Sequence, residues 1–132
     1  FAVFNDSKCC LWLACLNPGS AVSMHCHQRK MATFVPLSDD IELVTLDTRA
    51  ALTESVTVGR CVFHSQENNS GSDAFFLEYE WPSEKADIVR YKDRYGRASK
   101  GYEGQSEMLS LHKELPKLAL PTAVRSMMER VA

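Results

Sequence analysis

The run Pro18-Gly19-Ser20-Ala21-Val22-Ser23-Met24-His25-Cys26-His27 decides how the chain reads. Pro18-Gly19, after Asn17, marks a turn. Behind it the residues alternate. Ala21, Ser23, His25 and His27 share one face of an extended strand, and Val22, Met24 and Cys26 share the other. A lone histidine on a strand is most often an ordinary core or surface residue. Two imidazoles one residue apart on one face waste polar surface unless something binds them. They are the beginning of a metal site. A further histidine, His64, ends an apolar run and is followed four positions on by Asn68.

Working outward, the chain reads as many short strands with a small helical tail. Extended runs fall at residues 9–16, 20–27, 33–37, 41–46, 55–58, 61–64 and 74–81. Polar breaks or turns separate them at 28–30, 38–40, 59–60 and 66–72, and Pro82-Ser83 ends the last. Residues 48–54 fit a loop or one helical turn. In the 74–81 run, Phe75, Leu77, Tyr79 and Trp81 form an aromatic stripe expected to face the core, opposite Phe76, Glu78 and Glu80. Residues 98–105 read as loop. Residues 121–131 carry a helix signature, with Val124, Met127, Met128 and Val131 on one stripe expected to cover a barrel end or a dimer interface. Short antiparallel strands with Gly and Pro turns predict an all-β sandwich or barrel in a single domain spanning 1–132.

Composition removes several functions. A net charge of −2, with only the Lys92–Arg97 segment locally basic and interrupted by Asp93, gives no case for nucleic acid. No run of eighteen apolar residues exists, so no transmembrane helix and no membrane partner are expected. Five cysteines, Cys9, Cys10, Cys15, Cys26 and Cys61, are odd in number and contain no CxxC pair. They suit a reducing, cytoplasmic setting better than a disulfide framework or a zinc knuckle. The chain opens on Phe1 rather than Met, as expected of a piece of a longer sequence. No glycine-rich phosphate loop and no GxSxG elbow is present.

Pro18-Gly19, five residues, His25-Cys26-His27 and later His64 with Asn68 together resemble the cupin superfamily, at its PG-x5-HxH and H-x3-N motifs. The resemblance implies an antiparallel jelly-roll barrel whose histidines point inward and hold a divalent metal. A second stretch, from Ala86 to Arg97, is similar to the D-I-x-R-x-x-D-x-Y-G-R signature that closes the cupin domain of type II mannose-6-phosphate isomerases. The matching positions are Asp87, Ile88, Arg90, Asp93, Tyr95, Gly96 and Arg97. The run His64-Ser65-Gln66-Glu67-Asn68 is similar to the H-R-x-E-N segment of the same group. The likeness covers residues 15 to 97. It also breaks down in places. Ala32 stands where the first motif carries a glutamate, Thr33-Phe34 replaces a His-Trp pair, and Gly59-Arg60-Cys61 replaces Pro-x-Gly.

The expectation is therefore a cupin barrel over about 8–97, with the tail beyond. His25, His27 and His64 are its candidate metal ligands, for zinc, iron, nickel or manganese. The lost carboxylate is either absent from a three-histidine site or replaced from elsewhere, by Glu78 or Glu67; in a third reading the site is degenerate. Arg90 and Tyr95 are candidates for binding a sugar-type ligand, because a guanidinium fork suits phosphate oxygens. Asp93 and Gly96 are expected to be structural. Lys30 either reaches the mouth of the site or is a solvated turn residue. The implied function is a metal-binding cupin of sugar-phosphate or sugar-nucleotide metabolism, an isomerase or epimerase acting as a homodimer. The alternatives are a catalytically degenerate cupin that binds a sugar or a protein partner, and a three-histidine dioxygenase. The general base is not identified; His112 lies in the tail.

Overall fold

The computed structural model describes residues 2–6, 8–84 and 86–92. Expectations for Asp93, Tyr95, Gly96, Arg97, His112, the 98–105 loop and the 121–131 helix lie outside the described residues. Among the described residues ten strands run in order: β1 Ala2–Asn5, β2 Cys10–Leu16, β3 Met24–Cys26, β4 Met31–Pro36, β5 Ile41–Thr45, β6 Arg49–Ala51, β7 Val56–Val58, β8 His64–Asn68, β9 Ala74–Trp81 and β10 Val89–Lys92. They form two five-stranded sheets, ordered β1-β2-β9-β4-β7 and β10-β3-β8-β5-β6, and every strand pair is antiparallel. No helix occurs among the described residues.

Strands far apart in sequence lie side by side, so the barrel is closed by non-local pairing. β9 sits between β2 and β4, with Cys10 opposite Glu80 at one end of the first ladder and Pro36 opposite Phe76 at one end of the second. β8 sits between β3 and β5, and this places His25 opposite His64 and Thr45 opposite the same His64. Both sheets feed one core: Leu16, Ala32, Phe34, Val58, Ala74 and Phe76 from the first, Ile41 from the second and Leu52 beyond β6. Removing this apolar surface from water is what chiefly holds the sheets together.

Three expectations are corrected. The inward face of β9 is Ala74, Phe76, Glu78 and Glu80; of the aromatic stripe Phe75 is buried, at 5%, while Tyr79 and Trp81 remain 41% and 47% exposed. Period-two alternation separates the faces without saying which is inside, and here Phe76 packs on Phe34 while Glu80 finds an ionic partner. The 48–54 segment contributes strand β6, which pairs with β5 through Val44–Arg49, Leu43–Ala50 and Glu42–Ala51. Strand β8 begins at His64 and continues into the polar run, where Ser65 donates to the Val22 carbonyl and Asn68 is fully engaged. Asn68 donates from Nδ2 to the carbonyls of Leu16 and Ser72 and accepts from Ser70 N and Oγ. The asparagine of the H-x3-N pattern is thus a pin for the loop after β8. Ahead of β8, Cys61 adopts a left-handed φ of 61° and its N–H donates to the His27 carbonyl at 2.6 Å.

Candidate metal centre

The alternation of β3 turns His25 into the barrel, and His27, just past the strand end, follows on the same side. His64 arrives from β8, directly across from His25. All three are buried, at 3%, 1% and 1% exposure. Their ring centroids are 4.8 Å (His25–His27), 4.6 Å (His25–His64) and 5.4 Å (His27–His64) apart, and one ring nitrogen from each lies within 4.8 Å of the others.

The hydrogen bonds of the rings fix their chemistry. His25 Nδ1 lies 2.6 Å from the Ser23 carbonyl, His27 Nδ1 lies 2.6 Å from the Asp87 carbonyl, and His64 Nδ1 lies 2.9 Å from the Val62 carbonyl. A carbonyl oxygen only accepts, so each Nδ1 carries the proton and donates. That tautomer leaves the lone pair on Nε2. For His27 and His64 this Nε2 is buried with no hydrogen-bond partner, which ordinarily costs free energy. Burial pushes His25 down to about 3, and His27 and His64 each down to about 4, so all three imidazoles are neutral near pH 7. Three neutral nitrogen donors, oriented by backbone carbonyls on the far side of each ring, are what a zinc, iron or nickel ion requires. The residues present fit a divalent metal.

Asp87 does more than its place in the signature suggests. Its carboxylate accepts the backbone N–H groups of Gln28 at 2.9 Å and of Arg29 and Lys30 at 2.8 Å, while its own carbonyl takes the His27 Nδ1 proton. Burial would raise its carboxyl, but the three donors outweigh that and hold it below the ordinary value. Asp87 therefore folds the 28–30 turn and aims His27 together.

Lys30 is neither solvated nor at a mouth. It is fully buried and forms an ion pair with Glu80, itself 2% exposed, whose second oxygen accepts from Trp12 Nε1 at 2.8 Å. Ala32 lies inside, 1% exposed, with Val58 and Glu80 as cross-strand partners. Of the replacement carboxylates read from the sequence, Glu67 pairs with Arg49 at 3.0 Å and Glu78 lies opposite Trp12 and Phe34. Neither joins the histidine cluster. Arg90 lies directly across from His25 in the β3–β10 pair, so its half-buried side chain leaves the sheet on the histidine side. Sequence reasoning missed Glu80 and the clamp at Asp87. The Asp87 signal was present in the signature, and Glu80 had none beyond its alternation with the aromatic stripe.

No protein-family model matches the chain, and no curated protein matches it. Solved structures do resemble it. A protein with a double-stranded β-helix domain from Klebsiella pneumoniae superposes with a TM-score of 0.61 at 15% identity, over 70% of this chain and 82% of that one. A sugar phosphate isomerase of the cupin superfamily from Silicibacter pomeroyi gives 0.57 at 16% identity, over 67% and 58%. A cupin 2 conserved barrel domain protein from Salinispora arenicola gives 0.56 at 13% identity, over 63% and 74%. At these identities the likeness speaks for architecture, and the architecture of the described residues is the cupin barrel, the double-stranded β-helix.

Proposed function

We propose that this chain is a metal-binding cupin of carbohydrate metabolism, taking a sugar phosphate or sugar nucleotide as an isomerase or epimerase. The observation that carries the reading is the convergence of three neutral, buried imidazoles, two of them with Nε2 lone pairs that nothing else satisfies. His25, His27 and His64 hold the ion, and their backbone carbonyl partners hold the rings. When bound, a divalent metal supplies Lewis-acid polarisation of a substrate oxygen. Arg90, on the His25 side of its sheet, and Tyr95 recognise the anionic end of the ligand. The resemblance to a sugar phosphate isomerase from Silicibacter pomeroyi supports the ligand class. We further propose a single domain over 1–132, working as a homodimer in a reducing cytoplasm; the five free cysteines agree with that setting.

A second reading, a cupin that binds a sugar without turning it over, is favoured by Ala32 and by the engagement of both Glu80 oxygens. Incubation of metal-loaded protein with a panel of hexose phosphates and sugar nucleotides separates the two. The first reading expects isomerised product, abolished by a chelator. Saturable binding of a panel member without product selects the second. Absence of both contradicts the assignment to carbohydrate chemistry.

A further inference from the structure

We propose that Glu80 takes over the ligand role that Ala32 cannot fill, and that Lys30 is its counter-ion while the metal is away. This inference rests on the metal-binding reading above and names the residue that completes the site. The first observation is register. Strands β4 and β9 are hydrogen-bonded neighbours with Ala32 directly opposite Glu80. Directly opposed residues leave a sheet on the same face, with Cβ atoms about 5 Å apart. A carboxylate rooted at 80 therefore enters the same part of the barrel as one rooted at 32. The methyl of Ala32 leaves it room: both residues are inside, at 1% and 2% exposure.

The second observation is charge. A carboxylate this deeply buried needs a cation or several hydrogen-bond donors to stay ionised. Here the cation is the Lys30 ammonium, which is fully buried as well. A buried ion pair is a poor way to hold a fold together, because desolvation consumes most of the attraction. An apolar pair of the same volume would serve packing as well. Both charges of the pair act on the His27 and His64 rings. The Glu80 oxygens, held by Lys30 and Trp12, lie outside the group of ring nitrogens that sit within 4.8 Å of one another, so reaching an ion there takes a turn of the Glu80 side chain. The third observation is the donor count. Three neutral nitrogens leave a divalent ion with both its charges uncompensated in a closed interior, and Glu80 is the buried carboxylate on the inward face beside them. Its Oε2 is held by Trp12 Nε1, while Oε1 is the oxygen on Lys30. On metal binding Glu80 exchanges its Lys30 contact for the ion and offsets one of the ion's two charges.

Calorimetric titration of Zn2+ or Co2+ into the metal-free wild type, H27A, E80Q and the double variant A32E/E80Q tests this. The expected result is stoichiometric binding by the wild type and none by H27A. E80Q should bind at least about tenfold more weakly, in the range seen when a supporting ligand is lost. A glutamate restored at position 32 should recover most of that affinity. Should E80Q fail to fold, K30M/E80Q, which leaves no lone buried charge, is read in its place with the same expected loss. Wild-type affinity in the Glu80 variants overturns the proposal, and so does a loss that A32E leaves unrepaired, which would mark Glu80 as purely structural. Absence of binding by the wild type overturns the metal reading along with it.

Discussion

Two buried polar clusters share the barrel interior, and they are opposites. The Lys30–Glu80 pair is charged and engaged: its carboxylate meets an ammonium on one side and an indole N–H on the other. The His25–His27–His64 cluster is neutral and left open, with Nδ1 of each ring tied to backbone and the Nε2 atoms of His27 and His64 unpartnered. A buried charged pair adds little net stability but is costly to break, because removing one charge strands the other in the interior. A polar group aimed inward with nothing to meet is poised for something that arrives later. Removing Lys30 alone should therefore damage stability, and removing a histidine should damage binding; Glu80 belongs to both, as the anion of the pair and as the ligand proposed above.

The largest expected effect is on the charged side. Lys30→Met strands the Glu80 carboxylate in the interior and should cost about 3 to 5 kcal/mol, read as a large drop in Tm, whereas K30M/E80Q should recover much of it. Equal stability of the single and double variants would break the comparison. The next effect belongs to the histidines and to pH. Their folded values lie below the ordinary 6.5, so the unfolded chain binds more protons as pH falls. The stability they contribute is complete above about pH 6.5 and is lost as pH drops toward about 4 and then 3. Thermal melts of metal-free protein should decline steadily over that window. His64→Gln should flatten the decline, and a flat wild-type profile would refute the buried neutral cluster.

Asp87→Ala comes next, at about 2 kcal/mol, because three backbone N–H groups lose their acceptor at once. It should also weaken metal binding, since the turn it folds precedes Lys30 and its backbone aims His27. Unchanged affinity in D87A would separate the clamp from the site. The smallest effect is expected from Arg49→Ala. Arg49 joins Glu42 and Glu67 at the surface, 2.5 and 3.0 Å away, and water screens such pairs. Its melting curve should overlay the wild type, giving a surface standard against which the Lys30 loss is judged.

The histidine half of this comparison is written in local sequence. His25 and His27 share a face by alternation alone, and the Pro18-Gly19 turn before them sets the strand. His64 needed only a strand in the right place, and the β3–β8 register supplied it. The charged half is not local. Lys30 and Glu80 are 50 positions apart and meet because β9 inserts between β2 and β4. A polar turn such as Gln28-Arg29-Lys30 reads as solvated until its partner is known. The same blindness reversed β9: Phe75, Leu77, Tyr79 and Trp81 look like the core face, and only the pairing of Phe34 with Glu78 and Ala32 with Glu80 shows that the other face is inside. The strand at Arg49–Ala51 was illegible for a related reason. It has no apolar alternation of its own and takes its form from β5.

The central claim is that His25, His27 and His64 together hold a divalent metal. Elemental analysis of protein purified from metal-supplemented medium, as wild type and as His27→Ala, tests it most directly. Stoichiometric metal is expected in the wild type, with its loss in a variant that still folds. Metal-free wild-type protein, or equal metal in both, would contradict the claim.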